Sequence, residues 1–225
     1  METSYTPFTP KKTAILVDLS FFLKMYQKNQ GNFSAQELVK RLKDYLFKTL
    51  TIYGDTIHRF YIYDCEPLST GRVVTPISKT TYELKNTQAY KFRKEVLDEL
   101  KRQPLFAVRL GKISGKIEWK LKTNILNQLL KGYRDFSSLT DNDFVLDIKQ
   151  KGVDMKIGLD MASLSLKKQV EKIILITGDS DFVPAIKMVR REGIIVQLDP
   201  LRYDHPSADL LDHIDLLYSI LPHRN

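Results

Sequence analysis

The 225-residue sequence predicts an α/β fold built on a parallel sheet with helices on both faces. Three observations lead there. Short runs rich in β-branched residues alternate with helical patterns along the whole length. Two of those runs, residues 14–17 and 173–176, are apolar throughout, as strands covered on both sides are. Both then meet an aspartate within three positions, which puts charge at strand ends, where an open parallel sheet forms its ligand crevice.

Residues 1–12 read as a flexible tail containing Thr and Pro, and 13–225 as a single domain with a basic middle segment at about 66–145. The first strand spans 13–17. Leu38, Leu42, Tyr45 and Leu46 then recur at helical spacing behind Ser34 and Glu37, the pattern of a capping box. A second strand over 57–63 alternates at Phe60 and Ile62 and ends at Asp64, and Pro67 to Gly71 reads as a loop. Residues 81–102 are helical, with Leu84, Val96, Leu97 and Leu100 among charges, and Pro104 closes them. Period-two alternation at 106–110 and 116–121, across Gly111 and Gly115, predicts a hairpin or two neighbouring strands. A short helix over 123–133 and a polar loop over 134–143 follow. The last third reads as helix 153–170, strand 173–177, helix 181–192, strand 194–198 and a C-terminal helix over 214–221. Its leucines, Leu210, Leu211, Leu216, Leu217 and Leu221, serve either as core or as an interface between two copies of the chain, so a homodimer is one expected partnership.

Composition narrows the class. No segment approaches the roughly 18 continuous apolar residues of a membrane span, and the first ten residues lack the basic and apolar regions of a signal peptide. A cytoplasmic protein with no membrane partner is the expectation. The single cysteine, Cys65, excludes an internal disulfide and a cysteine-based zinc cluster. The net charge of +8 is unevenly spread. Residues 72–134 carry 15 Lys/Arg against 5 Asp/Glu, whereas 135–225 carry 11 against 15. A basic track beside an acidic pocket suits a polyanion substrate; the alternative is that the lysines and arginines solvate exposed helices.

The chemistry-bearing residues cluster at predicted strand ends. Asp18 ends the first strand, Asp154 lies in Lys151-Gly-Val-Asp154 at a helix start, and Asp179 and Asp181 follow the strand at 173–177 through Gly178, which is expected to turn the backbone tightly. Hard cations such as Mg²⁺ take oxygen ligands, often only one or two carboxylates directly, so two or three of these acids converging would suffice. The alternative for Thr177-Gly-Asp-Ser-Asp-Phe182 is a helix cap by Ser180 or Asp181. Asp160, six positions after Asp154, must point to a different side of the same helix and is expected to orient a ligand or to pair with a basic residue. Ser20 and Ser180 are candidates for positioning a phosphate or a carboxylate, Ser20 otherwise simply starting its helix. Asp64 is peripheral, a turn-opening residue on the plainer reading. In the basic region, Lys112, Lys116, Lys120, Lys122 and Lys151 are candidate phosphate contacts. Trp119 is the aromatic residue best placed to stack on a base, the other rings there reading mainly as core.

Ile15-Leu-Val-Asp-Leu-Ser20, Lys151-Gly-Val-Asp154 with Asp160-Met161, and Thr177-Gly-Asp-Ser-Asp-Phe182 with Arg191-Glu-Gly193, in this order, resemble the NYN domain family of PIN-like ribonucleases, including its LabA-like branch. Val108-Arg-Leu-Gly111 is similar to the strand that this branch carries before its basic loop. The resemblance covers about residues 13 to 200. It implies a Rossmann-like PIN fold, dependence on Mg²⁺ or Mn²⁺, and cleavage of RNA phosphodiester bonds, with the family's acidic metal ligands falling on Asp18, Asp154, Asp179 and Asp181. The family usually has Asn where this chain has Ser20, which is shorter and lacks the amide donor.

Three readings of function follow. The first is a ribonuclease in which carboxylate-held cations lower the pKa of a bound water. The second is an RNA-binding regulatory module that keeps the fold and acids without turnover, with Ser20 its best argument. The third is a phosphatase or nucleotide-handling enzyme, in which neutralising Lys116, Lys120 and Lys122 would leave turnover unchanged.

Overall fold

Lys12–Asp18 forms β1, whose residues Ala14 to Val17 are wholly buried in the computed structural model, which describes residues 9–113, 117–148 and 150–221. Asp18 ends the strand and starts α1 (Leu19–Gln30), which stops at Gly31 in a positive-φ conformation. The Ser34 hydroxyl accepts the Glu37 amide and opens α2 (Ala35–Thr51), as the capping pattern predicts. β2 (Thr56–Cys65) follows, then a small antiparallel pair, β3 (Arg72–Val74) and β4 (Thr81–Glu83). Thr87 caps α3 (Gln88–Lys101), and β5 (Phe106–Ile113) returns to the sheet.

Beyond β5 come β6 (Glu118–Leu121), α4 (Thr123–Leu130), β7 (Phe144–Asp147) and β8 (Gln150–Lys151). The last third supplies α5 (Val153–Leu166), β9 (Lys172–Ile176), a 3₁₀ turn at Ser180–Phe182 running into α6 (Val183–Arg191), β10 (Ile195–Asp199), α7 (Ala208–Asp212) and β11 (Leu216–Leu217).

The main sheet has seven strands in the order β11-β10-β9-β1-β2-β5-β8, parallel except for β8. The chain lays β2 and β5 on one side of β1, then returns to place β9 and β10 on the other. α1, α2 and α3 cover one face, on Ile15, Val17, Phe60, Ile62 and Ile174; α5 and α6 cover the other, on Leu16, Tyr61, Ile173, Leu175 and Val196. The reversal between β1 and β9 is the point at which a doubly wound sheet opens a crevice at its strand ends. At the opposite end of β9, Lys172 pairs with Asp55 at 2.9 Å, both side chains buried, and ties the strand to the turn before β2.

Four expectations change. The helix expected from Thr81 begins only at Gln88, because Thr81 and Tyr82 find strand partners in Val74 and Val73 and Thr87 supplies the cap. β5 and β6 are not a hairpin: β5 pairs parallel with β2, and β6 pairs antiparallel with β7 in a separate ribbon. The loop expected over 134–143 holds, with short 3₁₀ turns at Phe136–Ser138 and Asp141–Asp143, but two unexpected strands, β7 and β8, follow it. The C-terminal helix is instead the short α7 and the edge strand β11, since Asp215 and Tyr218 donate their amides to β10 carbonyls. Of the terminal leucines, Leu210 and Leu221 are core.

Candidate active site

β1 and β9 end side by side, Val17 being paired with Ile176, so Asp18 and the segment Thr177-Gly-Asp-Ser-Asp181 emerge together. Asp18 is half-buried, and its Oδ1 accepts the Phe21 amide at 3.0 Å, satisfying one of the free donors at the head of α1. Asp179 is exposed and caps the following 3₁₀ turn, its Oδ1 accepting the Asp181 amide at 2.9 Å. That capping role falls to Asp179 rather than to Ser180 or Asp181. Asp181 is exposed and Ser180 half-buried beside it.

Gly178 is needed here for close approach, not for a special turn: a Cβ would lie 2.6 Å from the Phe21 ring and 3.2 Å from Tyr203. Its bareness lets β9 end beneath the start of α1. Gly152, by contrast, has φ +81, a left-handed conformation that turns the chain from β8 into α5 and sets Asp154 in that helix's first turn. A carboxylate there is favoured by the amides of the helix start.

The acids feel one another. Burial raises the Asp18 pKa above the usual carboxylate range, the Phe21 amide pulls it down, and the charges of Asp154 and Asp64 raise it again. Burial first, then the charges of Asp179 and Asp181, raise Asp154. Asp154 thus links the β1 end to the β9 end electrostatically. Among the described residues no three His, Cys, Asp or Glu side chains are grouped tightly enough to hold a metal ion. The donor set is nonetheless all carboxylate, the chemistry of a hard cation that keeps several waters and takes one or two acids directly.

Asp160 points away from this cluster, as its spacing requires. It accepts the Tyr63 hydroxyl at 2.8 Å and pairs with Arg109 at 3.2 Å, so it is the partner of a basic residue. Ser20 is engaged as well. Its hydroxyl donates to Asp64 Oδ1 at 3.2 Å and accepts from the Arg93 guanidinium at 2.6 Å. Arg93 also reaches Asp64, Nε to Oδ2 at 2.8 Å and a terminal nitrogen to Oδ1 at 3.0 Å. The Asp64 side chain is fully buried; burial raises its pKa although Arg93 opposes the shift.

Asp64 therefore belongs to the crevice wall rather than to a turn, and Arg93 is a site residue that the sequence reading missed. A signal existed. Arg93, Val96, Leu97 and Leu100 share one stripe of α3, and an arginine on an apolar stripe needs a buried partner.

The basic candidates divide. Lys112 and Lys151 face each other directly across the β5–β8 pair, both exposed and neither in an ion pair among the described residues. Like charges so placed repel unless an anion joins them. Gly111 permits this approach, since a Cβ there would meet the Lys151 carbonyl at 2.6 Å. Lys120 is already paired, with Asp147 at 2.6 Å. Lys122 is exposed at the head of α4, and Lys116 lies outside the described residues. The Trp119 indole donates to the Val74 carbonyl at 2.7 Å, joining β6 to β3 instead of standing free.

The model of the NYN domain family matches residues 12–215. A crystal structure of a Vibrio parahaemolyticus protein of unknown function aligns over 98% of this chain and 96% of that one, at 16% identity and a TM-score of 0.46. No curated protein matches the sequence.

Proposed function

Because the chain belongs to the NYN domain family, a family that includes PIN-like nucleases, we propose that it is a ribonuclease that hydrolyses RNA phosphodiester bonds with the help of Mg²⁺ or Mn²⁺. The observation that carries the reading is the meeting of the β1 and β9 ends at the sheet reversal, with Asp154 electrostatically coupled to acids of both. Asp18, Asp154, Asp179 and Asp181 are the carboxylates from which one or two would bind the cation directly and the others through its waters, since no three of them are grouped tightly among the described residues. When bound, it supplies an acidified water and positive charge for the phosphate oxygens.

The chain's own residues prepare the rest. Repulsion among the acids, relieved by a cation, favours metal uptake in the ionised state. Lys112 and Lys151, one residue pair before the Gly152 turn into α5, offer two adjacent positive charges to the strand's backbone phosphates. No side-chain nucleophile is needed.

Asp179→Asn tests the reading. Asn still caps a turn, so the fold is expected to survive, while Mn²⁺-dependent cleavage of labelled single-stranded RNA is lost. Full activity in a folded Asp179→Asn protein would remove that residue from the chemistry. A second reading, an RNA-binding module without turnover, draws support from the engagement of Ser20 by Asp64 and Arg93. Metal-independent RNA binding with no cleavage by the wild type would favour it.

A further inference from the structure

Between α1, the start of α3 and the β7–β8 segment lies a cavity of about 550 Å³, a size typical of small-molecule sites, whose lining residue Arg93 holds Asp64. Three rings, Tyr82, Tyr90 and Phe92, line it together with Leu146. All four are only half-buried, so the chain leaves their apolar surface open. Gln27 and Gln150 add amide groups, each able to donate and accept. Arg93 forms part of the same wall, and its guanidinium joins Ser20 and Asp64, whose charge reaches Asp18. Arg93 thus ties the cavity wall to Ser20 and Asp64 by hydrogen bonds, and Asp64 acts on Asp18 through its charge.

We propose that this cavity is a nucleobase subsite, which takes one unpaired base of a strand whose phosphate lies at the aspartates. Flat aromatic walls suit a π-face, amides suit the donor and acceptor edge of a base, and a guanidinium between cavity and acids suits the sugar-phosphate that joins base to scissile bond. A purely apolar ligand would leave the amides of Gln27 and Gln150 without a polar partner in the cavity, and the described wall residues include no carboxylate. A paired base cannot enter, so the subsite selects single-stranded substrate. The inference deepens the nuclease reading and rests on it for the place of the scissile phosphate, but base binding itself needs no metal and no turnover.

The experiment is titration of the full chain in EDTA with adenosine, guanosine, cytidine and uridine monophosphates, against ribose 5-phosphate, by calorimetry and by fluorescence. Trp119 is the reporter: it lies directly across the strand pair from Leu146, on the same side of the ribbon. At least one nucleotide is expected to bind about tenfold or more tightly than ribose 5-phosphate and to change the Trp119 signal. Tyr90→Ala should weaken that nucleotide about tenfold, and Gln27→Ala, a milder change to the fold, should alter the order of preference among the bases. Equal binding of ribose 5-phosphate overturns the proposal, as does nucleotide affinity unchanged in both variants. Mn²⁺-dependent cleavage without base-dependent binding sinks the subsite and leaves the nuclease reading standing. Base-dependent binding without cleavage does the reverse.

Discussion

Replacing Arg93 with Met removes the one positive charge paired with the buried Asp64 carboxylate among the described residues while keeping much of the side chain's bulk. In the native protein the guanidinium makes contacts of 2.8 and 3.0 Å to the two Asp64 oxygens and 2.6 Å to Ser20, with 0% of the Asp64 side chain and 21% of the Arg93 side chain exposed. Without it the carboxylate keeps only neutral partners among the described residues, the Ser20 hydroxyl at 3.2 Å and the Cys65 amide. Breaking a buried pair on one side costs about 3–5 kcal/mol, and the partial exposure of Arg93 places the expected loss near the lower bound, about 3 kcal/mol. The loss depends on pH with a definite sign. The Asp64 pKa is already raised by burial, and removal of Arg93 raises it further. An acid whose folded pKa exceeds its unfolded value takes up a proton on folding, so Arg93→Met regains stability as pH falls from 7 towards the unfolded pKa of about 4. Urea unfolding of the wild type, Arg93→Met, Asp64→Asn and the double variant at pH 7 and pH 5 measures this. Asp64→Asn should restore most of the stability lost in Arg93→Met. A loss under about 0.5 kcal/mol at pH 7, the scale of an ordinary surface substitution, or no gain on acidification, would refute the reasoning.

Other expectations are equally concrete. Gly178→Ala forces a Cβ to 2.6 Å from Phe21; it should lower stability by about 1–3 kcal/mol and, by shifting the start of α1 and with it Asp18, reduce cleavage more than stability alone explains. Thermal unfolding and rate measured together check it, and a wild-type melting temperature would contradict it. Asp199, wholly buried and hydrogen-bonded by Tyr45 and the Leu201 amide, has its pKa pushed up to about 6 by burial. Its folded form holds the proton more tightly, so this group adds stability, on the order of 2 kcal/mol, as pH drops from 7 to about 4.5. The stability difference between wild type and Asp199→Asn should follow pH accordingly, and a difference constant across that range would tell against it. Neutralising both Lys112 and Lys151 with Gln should reduce the slope of log affinity for single-stranded RNA against log salt by about 1.4; an unchanged slope would take the pair out of the RNA path.

Much of this architecture is legible in the sequence, because the signals for it are local. The runs that became β1, β9 and β10 are dense in β-branched residues, and the acids that follow β1 and β9 sit where a parallel sheet opens. Ser34 and Glu37 mark the start of α2 for the same reason. What stayed hidden depends on partners remote in the chain. Asp64 looks like a turn residue until Arg93, 29 positions later, is packed beside it. Leu216 and Leu217 fit a helix until the edge of β10 accepts them. Trp119 looks free on a strand face until the Val74 carbonyl, 45 positions earlier, takes its N–H. In each case a tertiary partner overrides the local pattern.

The insertion of β9 between β1 and β10 has a consequence for how the chain is made. A fragment that ends before Lys172 has β1 paired with β2 alone, and the edge of Ala14 to Val17 that faces β9 in the finished sheet stands bare. An unpaired apolar edge recruits other chains. Truncated or stalled products of this sequence are therefore expected to clump or to be captured by chaperones, and none can assemble both halves of the acid cleft until the final third has been synthesised.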